Sequence, residues 1–177
     1  MAENQTPEAA TTEQPKQPEF ALQRVYLKDA SLEMPNAPHV FLLQEAPNID
    51  IQLEVGETKL PQDDLWEVYV RATVTAKTKV EGQEHTVFLV ECKQAGIFLA
   101  RNIPEEQLPM VIGITCPATV YPYLRSNVSD LLVRAGMPPV YLSEVNFEAY
   151  FAQRMNQIAE EQKKAEAAKE AETATKN

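Results

Sequence analysis

The stretch Trp66-Glu67-Val68-Tyr69-Val70-Arg71-Ala72-Thr73-Val74-Thr75-Ala76-Lys77 alternates with period two. Trp66, Val68, Val70, Ala72, Val74 and Ala76 fall on one side, and Glu67, Arg71, Thr73, Thr75 and Lys77 on the other. Successive side chains of a strand point to opposite faces, so this segment is predicted to be a strand with one buried and one wet face. Upstream, Ile49, Ile51, Leu53 and Val55 alternate with Asp50, Gln52 and Glu54 in the same way. A sheet solvated on one side is antiparallel, because parallel sheets are covered on both faces. Downstream, Glu81-Gly82-Gln83-Glu84 offers a tight turn into a fourth run, His85 to Leu99, which closes a hairpin. The first run, Phe20 to Met34, ends at Pro35-Asn36-Ala37-Pro38-His39-Val40-Phe41. Its two prolines fix φ and push their predecessors toward extended backbone, so the stretch is predicted to be non-helical. An apolar patch, Val40 to Leu43, therefore sits inside a connection.

Helical signals follow Asn102, a predicted cap with Pro104, Glu105 and Glu106 in the first turn. Val120, Tyr121, Leu124, Val128, Leu131 and Leu132 keep helical spacing, Pro109, Pro117 and Pro122 are expected to bend or interrupt it, and Gly136 with Pro138 marks the stop. A last helix is predicted from about Asn146, with Phe147, Tyr150, Phe151, Met155 and Ile158 on one stripe. Strands first and helices afterwards give an α+β fold: a four-stranded antiparallel sheet with helices packed on one side, a C-terminal helix and disordered tails. Residues 1–18 have almost nothing to bury and read as a disordered extension, and residues 159–177 as a charged mobile tail of Ala, Glu and Lys. There is no internal repeat.

A net charge of -10 argues against nucleic acid and anionic lipid as partners and favours basic ones. The N-terminal residues lack the apolar region of a secretory signal and no run is long enough for a membrane span, so a cytoplasmic location without membrane insertion is expected. Cys92 and Cys116 are then expected to be free thiols. His39 and His85 have no ligand spacing to a cysteine, and five glycines make no phosphate loop. Asp63-Asp64 after Pro61 reads as a turn rather than an acid/base pair, and Cys116-Pro117 as a packed thiol. No catalytic constellation, cofactor site or metal site is expected.

The fourth run is less regular. Phe88, Val90 and Cys92 share one face, and Val87, Leu89, Glu91 and Lys93 the other, so Val87 and Leu89 break the alternation. A strand apolar on both faces either lies under a second layer or presents a binding patch. On the first run Asp29, Ser31 and Glu33 share a parity and form an acidic edge.

Several of these segments together resemble the SecB family of bacterial protein-export chaperones. They are Gln23-Arg24-Val25-Tyr26 with Lys28-Asp29, Pro35 to Phe41, Glu91 to Phe98, Cys116 to Tyr123 with Arg125, and Val145-Asn146-Phe147. The resemblance covers most of residues 19–155 and marks 19–158 as the SecB-like chaperone domain. It implies an ATP-independent chaperone that holds unfolded precursor proteins and hands them to the SecA translocase motor. It also implies a homotetramer, a dimer of dimers, with no enzymatic activity and no cofactor. By position, Asp29, Glu33, Leu89 and Glu91 match the family's SecA-contacting residues, and Val90, Cys92 and Gln94 the strand supporting subunit association. Val40, Phe41, Leu42 and Leu43 with Phe147, Phe151 and Met155 match the client groove. A homo-oligomeric adaptor that binds one folded or helical partner is the competing reading of the residues alone.

Overall fold

The computed structural model describes residues 17–80 and 82–175. Strands β1 (Glu19–Glu33), β2 (Asn48–Lys59), β3 (Leu65–Val80) and β4 (Gln83–Arg101) form one antiparallel sheet in the order β1-β4-β3-β2. Helices α1 (Leu108–Met110), α2 (Cys116–Arg134) and α3 (Phe147–Thr175) follow, so the predicted α+β fold is the observed one. Most of the N-terminal extension read at 1–18 lies outside the described residues. Helix α3 continues through the Ala/Glu/Lys run to Thr175, and its residues 159–165 are all exposed.

The β3 alternation sets the architecture. Val68, Val70, Ala72, Val74 and Ala76 are fully buried, and α2 lies over them and over β4. Val120, Leu124, Val128 and Leu132, one helical turn apart, are fully buried against that face. Each such side chain contributes about 1.5–3 kcal/mol through burial. The far end of α2 closes as a Schellman motif: Gly136 takes φ 77°, Met137 N–H bonds Leu132 O at 3.0 Å, and Gly136 N–H bonds Val133 O at 3.1 Å.

Two local readings are corrected, at Asn102 and at His39–Leu42; the expected interruption takes the form of a wide turn before Pro117, while α2 continues through Pro122. Asn102 does not cap a helix: it adopts φ 52° and its side chain donates to Gln17 O at 3.2 Å, so the helical run begins at Leu108. Between α1 and α2, residues Val111–Thr115 form a π-turn, with Cys116 N–H bonding Val111 O. Pro117 has no N–H for the Gly113 carbonyl and its ring would strike it, and the wider turn relieves both. Finally, His39–Leu42 form a single 3₁₀ turn, because Pro38 restricts the residue before it and leaves the residues after it free to coil.

Candidate functional site

Register decides which side chains share a face. Glu33 lies opposite Leu89, Ser31 opposite Glu91 and Asp29 opposite Lys93. All six project from the sheet face away from α2, since cross-strand partners and alternate residues point the same way. Asp29, Glu33, Leu89 and Glu91 thus form one continuous patch, in which Leu89 is half-buried between carboxylates. Val87, the other irregular residue, is unmatched in a β-bulge between Thr86 and Phe88 and turns into the core. Its break in the alternation is a packing feature, whereas that of Leu89 is a surface one.

The rest of this outer face is a polar network. Glu67 accepts from the Tyr26 hydroxyl and from Lys28 Nζ, the latter at 2.6 Å. Glu54 accepts from the Tyr69 hydroxyl at 2.7 Å and from Arg71. Partial burial of Glu67 raises its carboxyl pKa, but the hydrogen bonds from Lys28 and Tyr26 outweigh it and hold the group below the usual value. The Tyr69 hydroxyl chiefly does the same for Glu54. Burial, reinforced by Glu67, pushes the Tyr26 hydroxyl up to about 12. The Tyr69 ring packs on Gly56, where a Cβ would come within 2.3 Å of it.

On the opposite face, Val90, Cys92 and Gln94 are buried beneath the chain's own α2. Asn127 Nδ2 of that helix donates to Gln94 Oε1 at 2.6 Å. Gln94 thus contacts a helix of its own chain, and all three residues are buried within the single chain. Cys92 and Cys116 are free and buried. Burial pushes the Cys92 thiol up to about 11, with the Asp29 charge adding to it, and the Cys116 thiol up to about 12, so neither is a thiolate at neutral pH.

Five of the seven apolar candidates divide between two cavities. Val40, Phe41 and Leu43 line one of about 350 Å³ with Ile49, Val87 and Phe88. Phe151 and Met155 line another of about 250 Å³ with Trp66, Ile112, Gly113 and Ile158. Phe147 lines neither: it is buried edge-on against Tyr121 at 5.5 Å. Leu42, 81% exposed, borders a shallower hollow of about 490 Å³ with Pro35, His39, Val80 and His85. The sequence-predicted groove residues therefore do not form one pocket. They stand at the two ends of β2, one at Ile49 and the other at Glu57, about 26 Å apart at ~3.3 Å per residue. Between them β2 exposes Ile49 and Ile51, and Tyr150 of α3 reaches Leu53 O at 3.4 Å. Arg154 pairs with Glu57 at 3.0 Å and anchors α3 at the far cavity. Sequence reasoning missed Trp66 and Ile49 as lining residues, although their place on the apolar side of edge and neighbouring strands was visible.

The family model for the preprotein translocase subunit SecB matches residues 13–158. The chain belongs to the SecB family. The protein-export protein SecB of Herminiimonas arsenicoxydans is 54% identical over 145 residues, covering 82% of this chain and 85% of that one. That of Burkholderia multivorans is 49% identical over 146 residues, covering 82% and 88%. Among solved structures, a SecB-like chaperone of Mycobacterium tuberculosis in complex with a ChAD peptide from the HigA1 antitoxin superposes with a TM-score of 0.57. It is 19% identical and covers 71% of this chain and 90% of its own, a likeness of fold. The α+β fold and the protein-export chaperone class read from the sequence both stand on these SecB matches. Among the described residues no helix is long and apolar enough to cross a membrane.

Proposed function

We propose that this SecB-family chain holds unfolded precursor proteins along the β2 margin and delivers them to SecA from the opposite sheet face, as a cytoplasmic homotetramer, a dimer of dimers. It works without enzymatic chemistry or a cofactor. The observation that carries this reading is the division of labour across the sheet. Apolar cavities lie at both ends of β2 on the helix side, and a carboxylate patch centred on Leu89 lies on the other side. An unfolded chain offers scattered apolar side chains and no fixed shape, so a holder needs separated apolar pockets more than precise polar recognition. A motor partner binds one defined surface, for which charges steer approach and a central apolar residue supplies the dry contact.

Assembly is supported by β1. Phe20, Leu22, Val25, Leu27, Ala30 and Leu32 share the helix-side face through register shifts at Gln23 and Lys28, yet Phe20, Leu22 and Leu27 are exposed. An apolar stripe on an edge strand invites a second copy to cover it.

The test changes one residue per cavity, choosing exposed positions so that the fold is kept: Phe41 is 51% and Met155 46% exposed. Phe41→Asp with Met155→Asp is expected to weaken binding of a reduced, unfolded protein at least about tenfold, because a carboxylate is costly to desolvate in an apolar pocket. Equal affinity in a folded variant of unchanged mass overturns the client assignment. The Asp29→Lys with Glu91→Lys variant should keep client binding and lose SecA.

A further inference from the structure

The outer face presents more than an acidic patch. Across β1, β4, β3 and β2 one row reads Asp29, Lys93, Arg71, Glu54, placing a cation directly beside the carboxylates. The cations here differ in how they are satisfied. Lys28 is paired with Glu67 and Arg71 with Glu54, whereas Lys93 has no carboxylate within ion-pairing distance among the described residues. Lys93 Nζ instead sits 4.5 Å from the centroid of the Tyr69 ring. That ring is itself fixed, by its hydroxyl on Glu54 and by its seat on Gly56. A cation–π contact orients an ammonium but leaves its hydrogen-bond donors unused. Asp29 and Glu33 likewise have no ion-pair partner among the described residues. The surface thus offers three carboxylates, Glu33, Glu91 and Asp29, and at one end a held ammonium on Lys93, two strand positions from Glu91 along β4.

We infer that Lys93, set by Tyr69, reads a carboxylate on the docking partner, so that this face selects a predominantly basic segment carrying one acidic group and fixes the direction in which it lies. Lys93 is a specificity residue in this scheme. Against a uniformly basic partner it would repel, and a preorganised repulsive charge at the end of a docking face would only weaken binding. The inference rests on the proposed use of this face for SecA.

Calorimetric titration of SecA into the full-length chain tests it, with wild type, Lys93→Met, Lys93→Arg and Asp29→Lys/Glu91→Lys compared at two salt concentrations. Lys93→Met is expected to bind about fivefold more weakly, a modest effect suited to a partly exposed pair, and Lys93→Arg to stay within about twofold of wild type. Thermal melts by circular dichroism check that each variant is folded, and Lys93→Gln replaces Lys93→Met if the latter is not. If the double reversal abolishes binding while the neutral variant at Lys93 binds as well as or better than wild type, the partner surface is uniformly basic and the inference is overturned alone. If the double reversal binds like wild type, the face is not the docking site and both readings go.

Discussion

Over β3 and β4 the helix-side apolar layer is sealed, and over β1 and β2 the same layer lies open. Val70, Val74, Val90 and Phe98 have no exposed surface, whereas Leu22, Leu27, Ile49 and Ile51 keep 38–48% of theirs. The residue types are alike, so the cause is geometric. Four strands about 4.8 Å apart are wider than one helix of about 10–12 Å diameter once side chains project on both margins. Helix α2 covers the centre, and α3 reaches β2 only near Leu53 and Glu57. A fold that places one long helix on four strands leaves apolar margins, the surfaces to which the proposed function assigns a second copy and an unfolded client.

The largest expected effect comes from breaking the sealed centre. Leu124→Ala, at a fully buried position over the sheet, should cost about 2–5 kcal/mol in urea unfolding. A loss under about 1 kcal/mol would mean that the centre is not packed more tightly than the margins. Next is the junction between the two regions. A Cβ at Gly113 would come within 2.4 Å of the Phe151 ring, so Gly113→Ala should displace α3 from its seat, at about 1–3 kcal/mol. Faster proteolytic cleavage within α3 and weaker client binding would accompany it; unchanged cleavage would show that Phe151 simply turns aside. The smallest effect on intrinsic stability is expected at the open margin. Leu22→Asp with Leu27→Asp should change monomer stability by no more than about 1 kcal/mol while lowering the mass seen by light scattering. A penalty like that of Leu124→Ala would make β1 part of the core.

How much of this was legible depends on whether a strand keeps its period. The uninterrupted alternations of β2 and β3 gave their faces, their antiparallel pairing and the hairpin at Gly82. Strand β1 did not yield in this way. Register shifts at Gln23 and Lys28 each reverse parity, so Leu22, Val25, Leu27 and Ala30 share a face that no strict period-two reading joins. Bulges depend on the pairing partner, and a single strand's sequence does not show where they fall. The same limit hid the inward turn of Val87. In the helical half the buried stripe was readable, but the widened turn before Pro117 was not, because it answers a clash in the preceding turn. For the site, parity gave the acidic edge of Asp29 and Glu33 and, separately, the shared face of Leu89 and Glu91. Their joining into one patch was implied by the family resemblance and follows physically from the β1–β4 register. The separation of Phe41 from Phe151 could not be read, since it follows from which end of β2 each packs against.

The distance between the two cavities makes β2 a ruler. A segment must supply about eight extended residues to occupy both, and a peptide shorter than that can fill one or the other in turn. If the proposed client sites are used, a longer chain with one side chain seated meets the other cavity at an effective concentration in the millimolar range, so retention should rise with length. Native proteins seldom leave eight consecutive residues extended and unpaired at their surface. Under the proposed function, spacing alone would thereby select unfolded over folded polypeptides, without any group that senses foldedness.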